Sequence, residues 1–176
     1  MLFTKSGLQK GDTVLIQGAG GGVATALIQL ASAAGFITWV TSRDEAKREY
    51  AKSLGASEVF ESGARLPGKV DAVMESVGEA TWSHSMRSLR PGGRIVICGA
   101  TSGANPPADL NRLFFLQLEV VGSTMGTRAE FEGLVKFLGE TGVRPHIQQV
   151  FPLGEARSAY ELMVDGNVQG KIILIP

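Results

Sequence analysis

Between Thr13 and Thr41 the chain runs from an apolar strand pattern (TVLIQ) through a glycine-rich turn (GAGGGVA) into a small-residue helix (TALIQLASAAG). It leaves that helix through a second apolar strand (FITWVT). This succession folds naturally as a parallel βαβ unit whose turn opens a helix, the arrangement that holds a dinucleotide diphosphate. Amides at a helix start are unpaired and carry partial positive charge, so an anion placed there is stabilised. A side chain in the turn would hold the phosphates away, which makes Gly20, Gly21 and Gly22, followed by Val23, the candidate cradle. The best register of the fingerprint is Ala19-x-Gly21-x-x-Ala24, with alanine where helix and strand pack closely. A methyltransferase builds a similar turn for its adenosyl group, so the glycines alone leave both readings open.

The alternation of strand and helix patterns continues along the chain, which argues for a parallel sheet covered on both faces. Strands are expected at Thr13–Gln17, Phe36–Thr41, Glu58–Glu61, Val70–Ser76, Arg94–Gly99 and Leu118–Ser123. Their apolar runs are continuous, as in strands buried on both sides. Helices fit at Ala24–Ala34, Asp44–Leu54, Glu79–Leu89, Leu110–Leu116 and Glu130–Glu140. Ser42 and Glu45 have capping-box spacing, Gly35 and Gly55 close helices, and Arg90-Pro91-Gly92-Gly93 reads as a turn. The fold class is therefore α/β, a doubly wound six-stranded parallel sheet of order 3-2-1-4-5-6 with helices on both faces. Right-handed crossovers bring Gly18–Val23, Thr41–Arg43, Ser76–Gly78, Gly99–Thr101 and Ser123–Met125 to one edge. After Met125 the texture changes to a helix, a strand at His146–Phe151, a helix at Glu155–Val164 and a strand at Lys171–Ile175.

At the end of the second strand, where NAD and adenosylmethionine sites place an acid for the ribose hydroxyls, stand Thr41, Ser42 and Arg43. A carboxylate would repel a 2′-phosphate. Ser42 can donate to one, Arg43 can grip it with a planar fork, and Lys47 lies one turn on. The expected cofactor is NADP(H). The competing reading makes Arg43 and Lys47 solvated charges on a surface helix.

Lys plus Arg and Asp plus Glu are equal at 17 each, so neither nucleic acid nor an anionic membrane surface is an expected partner. No apolar run is long enough to cross a bilayer. The single cysteine, Cys98, cannot form an internal disulfide and reads as a buried thiol, in keeping with a reducing cytoplasm.

Taken together, GDTVLIQGAGGGVATALIQLA, AKSLGASEVF, VDAVMESVG, LRPGGRIVICGA, LEVVGSTMG and GKIILIP resemble the medium-chain dehydrogenases/reductases. That family includes zinc-dependent alcohol dehydrogenases and zinc-free quinone reductases, and the GSTMGTRAEF stretch is most similar to the zinc-type branch. The resemblance implies that Gly20 to Val23 cradle the pyrophosphate and that Ser42, Arg43 and Lys47 meet the adenosine phosphate. It places Ser76 and Val77 beside the adenosine-side ribose, Gly99 and Ala100 beside the nicotinamide, and Ser123 and Met125 at the carboxamide. Lys171 matches a basic residue that reaches a cofactor phosphate in relatives. The alternative for Lys171 is an edge-strand solubility charge.

The resemblance also implies an N-terminal GroES-like domain with the substrate pocket, any zinc ligands and the proton relay, and this chain opens just before the cofactor domain. Residues 1–126 are the expected Rossmann core. Residues 127–176 are an extension that in relatives packs on the absent domain, so the final KIILIP strand is expected to lack that natural partner and to expose apolar area. A catalytic zinc needs three protein ligands, and Cys98, His84 and His146 show no ligand spacing, so no metal site is expected. They are read as a core thiol and surface imidazoles. No catalytic set of another kind is present. The expected activity is hydride exchange between NADPH and a carbonyl, enone, quinone or alcohol in the whole enzyme, with this part inactive alone. A stand-alone nucleotide-binding or scaffolding module is the alternative. Strand 118–123 should be an open sheet edge through which two copies pair.

Overall fold

The computed structural model describes residues 1–166 and 168–176. After a short helix α1 (Leu2–Lys5), the elements β1 (Thr13–Gln17), α2 (Gly22–Ala33), β2 (Ile37–Thr41), α3 (Glu45–Ser53) and β3 (Glu58–Phe60) wind in one direction. The chain then crosses to β4 (Val70–Glu75), α4 (Glu79–Ser88), β5 (Leu89–Ile97), α5 (Leu110–Phe115) and β6 (Glu119–Gly122). All these strands pair in parallel in the order β3-β2-β1-β4-β5-β6. The strand order reverses between β1 and β4, and ligands of doubly wound sheets sit at such a crevice.

Strand pleating explains the two-sided core. Val14 and Ile16 of β1 face one way, into a cluster with Leu27, Ile28 and Ala31 of α2. Leu15, between them, faces the other way, towards Trp82 and Met86 of α4. Burial of each such large side chain stabilises the fold by about 1.5–3 kcal/mol before entropy is counted. Position after position of the central strands is therefore apolar.

Two local expectations are corrected. The residues Arg90–Gly93 do not form a free turn but lie inside β5 as a bulge, where the register jumps from Val70↔Leu89 to Ala72↔Arg94. The bulge persists because Gly92 takes φ +72° and its N–H donates to Leu116 O at 2.7 Å, while Arg90 pairs with Asp71 at 2.5 Å. At α3 the cap is Asp44, which accepts from the Lys47 N–H at 3.1 Å. The Ser42 hydroxyl instead accepts from the Asp44 N–H at 3.2 Å, so the Ser42–Glu45 box does not form.

Beyond the sheet, α6 (Arg128–Thr141) begins with a full capping box between Thr127 and Glu130. β7 (Ile147–Pro152), a 3-10 turn (Leu153–Glu155), α7 (Ala156–Val164) and β8 (Lys171–Ile175) complete the chain. The closing strand β8 pairs in parallel with β7 in a separate two-stranded sheet, and Ile175 at its end is 48% exposed. This unit rests on the first βαβ unit, with Gly170 N–H donating to Gly20 O at 3.0 Å and the Tyr50 and His146 rings 5.1 Å apart, edge to face. β6 is the sheet's edge, with Val120 43% exposed. No helix among the described residues is long and apolar enough to cross a membrane.

Candidate dinucleotide cleft

At the C-terminal ends of β1, β2, β4 and β5 a cleft of about 690 Å³ opens. Gly20, Gly21, Gly22 and Val23 line one wall, Ser42, Arg43 and Lys47 a second, and Ser76, Val77 and Gly99 a third. Gly21 stands in extended conformation just ahead of α2, and a Cβ built on it would meet no protein atom within 4 Å. Its missing side chain therefore leaves open space in front of the helix amides, where an anion is stabilised by unpaired N–H groups and the helix dipole. The cradle fits a dinucleotide diphosphate on this ground.

Cations stand around it. Lys171 Cε and Nζ lie 2.8 Å from where a Cβ on Gly22 would be, so its ammonium borders the first residue of α2. Lys47 lays its stem over Gly20 and donates to the Gly166 carbonyl at 2.8 Å. Arg43 is exposed and has no ion pair or hydrogen bond among the described residues. Ser42 is buried, and Arg48 donates to its carbonyl at 2.7 Å. The wall thus carries positive charge where an acid would stand in an NAD site.

Other expected positions fall elsewhere. Ala100 is exposed and backs onto Gly78 rather than lining the cleft. Ser123 and Met125 line a second groove of about 740 Å³ with Phe3, Phe131 and Phe137, and Met125 is 92% exposed. They follow the edge strand β6, where Ser123 N–H donates to Ile97 O at 2.7 Å, next to the cleft-lining Cys98. Cys98 is not a core thiol: β5 ends at Ile97, and Cys98 is exposed on the cleft wall. Partial desolvation raises its pKa, so a thiol and not a thiolate faces the cleft. His84 is not a surface imidazole either. It is 7% exposed, hydrogen-bonded to Gln17 and Ala64 O at 2.9 Å each. His146 is half-buried against Tyr50. Among the described residues no group of three or more His, Cys, Asp or Glu could hold a metal.

Gln17 and Glu75, which close β1 and β4 beneath the cleft, are not among the expected site residues. Both are buried polar residues in otherwise apolar strands. That interruption of TVLIQ and VDAVME was the available signal.

The sheet order, the switch-point crevice and the glycine cradle define a dinucleotide-binding Rossmann domain. Known proteins narrow the class. Residues 22–140 match the family described as zinc-binding dehydrogenases. The acryloyl-coenzyme A reductase of Sulfurisphaera tokodaii is 33% identical over 97% of this chain and 52% of its own length. The quinone oxidoreductase of Mus musculus is 30% identical over 99% of this chain and 58% of its own. Among solved structures, a thermostable alcohol dehydrogenase from Pyrobaculum aerophilum superposes with a TM-score of 0.87 at 33% identity, covering 98% of this chain and 52% of that one. The 2-octenoyl-CoA carboxylase reductase CinF, in complex with NADP and 2-octenoyl-CoA, superposes with a TM-score of 0.86 at 26% identity, over 97% and 44%. The chain belongs to the zinc-binding dehydrogenase family of the medium-chain dehydrogenases/reductases, and spans about half the length of the relatives it matches.

Proposed function

We propose that this chain is the NADP(H)-binding part of an oxidoreductase that moves a hydride between NADPH and a carbonyl, enone, quinone or alcohol. One observation carries the reading: the open glycine cradle shares a cleft with the exposed Arg43 guanidinium. The complex of CinF with NADP supports the same cofactor class.

The chain's own groups bind and orient. The amides opening α2, with Lys171 beside them, take the diphosphate. Arg43, Ser42 and Lys47 receive the 2′-phosphate, the guanidinium through a charge-assisted fork. Ser76 and Val77 border the ribose, and Gly99 the nicotinamide side. The nicotinamide supplies the hydride chemistry, so the protein needs placement and a water-poor crevice more than a nucleophile. Residues 1–126 form the cofactor core. Residues 127–176 dock against the N-terminal half that relatives carry, and β6 pairs with β6 of a second copy. The setting is a reducing cytoplasm.

Calorimetric titration with NADPH and NADH tests this. Tight NADPH binding is expected, with Arg43→Ala weakening NADPH about tenfold or more and leaving NADH unchanged, as loss of a charge-assisted hydrogen-bond pair requires. Equal loss for both cofactors, or none, refutes the clamp.

A further inference from the structure

Glu75 is 0% exposed, and among the described residues no lysine or arginine pairs with it. Its Oε1 accepts from the backbone N–H groups of Val77 at 2.8 Å and Gly78 at 3.1 Å. The Thr81 hydroxyl lies 2.9 and 3.0 Å from its two oxygens, and the Ser85 hydroxyl donates to Oε2 at 2.6 Å. All of these partners are donors, which an acceptor-only carboxylate satisfies without conflict.

The carboxylate then dictates proton positions well beyond itself. Ser85 has one proton and gives it to Glu75, so its oxygen accepts from the Gln17 amide nitrogen at 3.0 Å. That choice fixes the orientation of the amide, which makes Gln17 Oε1 the acceptor for the Thr41 hydroxyl at 2.5 Å. The other amide hydrogen points at His84 Nδ1, 2.9 Å away. Nδ1 must therefore be the unprotonated ring nitrogen, and Nε2–H donates to Ala64 O at 2.9 Å.

These groups lie under three walls of the cleft. Gln17 precedes the glycine turn, Thr41 precedes Ser42 and Arg43, and Glu75 grips the amides of the Ser76–Gly78 turn. Backbone bonds carry the effect outward: Gly18 N–H donates to Thr41 O at 3.0 Å, and Cys98 N–H donates to Glu75 O at 3.0 Å. A desolvated carboxylate without a counter-ion is a poor source of stability. What it supplies is one unique direction of hydrogen bonding through a buried network.

We infer that Glu75 and Gln17 are positioning residues for the cofactor cleft: the buried carboxylate, through Ser85 and the Gln17 amide, locks the ends of β1, β2 and β4 in the arrangement that receives the dinucleotide. This rests on the NADP(H) reading above. Neither residue touches the cofactor in this role.

Glu75→Gln tests the relay. Its amide oxygen must stay with the Val77 and Gly78 N–H groups, so its NH₂ faces Ser85 and donates to it. Ser85 then turns its proton to Gln17 and the Gln17 amide flips, so His84 faces acceptors on both sides, Gln17 Oε1 and Ala64 O, and only a ring protonated on both nitrogens satisfies both. Nitrogen-15 NMR of the imidazoles, of which the chain has two, should show His84 changing from the neutral Nε2–H tautomer to the doubly protonated imidazolium at a pH where the wild-type ring is neutral. NADPH affinity should fall about tenfold, the scale of reversing a buried hydrogen bond. An unchanged protonation of His84 overturns the relay, and an affinity within about twofold of wild type overturns the positioning role. Failure of the wild type to bind NADPH overturns the cofactor reading instead, and the protonation of His84 then decides the relay alone. If Glu75→Gln does not fold, Ser85→Ala cuts the relay while leaving Glu75 on the Val77 and Gly78 amides. The Gln17 amide hydrogen then loses its acceptor, NADPH affinity should again fall about tenfold, and an affinity within about twofold of wild type overturns the positioning role.

Discussion

The Lys47 ammonium donates to the carbonyl of Gly166 at 2.8 Å, joining α3 beside the cleft to the turn that follows α7. The residue expected to meet the adenosine phosphate is thus already held by the C-terminal unit. Lys47→Met should therefore do two things. It should weaken NADPH binding less than Arg43→Ala does, because the lysine must leave a carbonyl to reach a phosphate. It should also cost about 1 kcal/mol of stability. Titration and urea unfolding measure the two effects, and a Lys47 effect on NADPH exceeding that of Arg43 would reverse the assignment.

Gly21→Val places a branched side chain in the open space before α2 without backbone strain, since Gly21 has φ −71° and ψ 157°. Unfolding midpoints should stay within a few degrees of wild type while nucleotide binding disappears. Retained NADPH affinity would show that the diphosphate lies elsewhere.

Two glycines should respond to alanine in opposite directions. Gly78 has φ +93°, and a Cβ there would stand 2.3 Å from Gly103 O, so Gly78→Ala should destabilise by about 3 kcal/mol or more. Gly133 sits inside α6 with nothing within 4 Å of its would-be Cβ, so Gly133→Ala should stabilise by about 0.5–1 kcal/mol. Denaturant curves of equal slope would report both directly.

Val120 lies on the edge strand β6, 43% exposed, with no strand beyond it among the described residues. If two copies pair there, Val120→Lys should yield monomers, because a charged edge opposes strand addition. Sedimentation of wild type and variant at micromolar concentration decides. A wild type that is monomeric removes the edge-pairing proposal.

Glu130 accepts from the Thr127 backbone N–H in the α6 capping box, which together with the Thr4 and Thr127 hydroxyls lowers its pKa from 4.5 to about 2. A carboxyl that ionises more readily when folded stabilises the folded state above its unfolded pKa. That contribution should fade as pH falls from about 4.5 towards about 2. The Thr127 amide proton, followed by NMR, should titrate at the lower value. A midpoint near 4.5 would mean that the box is open in solution.

Some of this was written in the order of residues. Apolar runs of strand length separated by helix-length segments define a parallel doubly wound sheet, because only that arrangement covers both faces of such strands. The glycines before α2 and the hydroxyl–arginine pair after β2 marked two cleft walls, since backbone approach and charge are properties of residue type. Local spacing could not distinguish Ser42 from Asp44 as the α3 cap, nor a turn from a bulge at Arg90–Gly93. The bulge depends on pairing with Asp71 and Leu116, which are remote in sequence, while the cap is settled by which oxygen the Lys47 N–H reaches.

Tertiary structure alone decided the rest. Cys98 faces the cleft because β5 stops one residue before it. His84 is buried because α4 turns it onto Gln17 and the loop at Ala64. Lys171 reaches Gly22 across most of the chain because β8 packs its unit against the first crossover. Sequence patterns report what each residue prefers within a turn or two of itself. Which distant groups share a buried hydrogen bond, and hence which carboxylate orients which amide, is fixed only when the packed sheet brings them within reach.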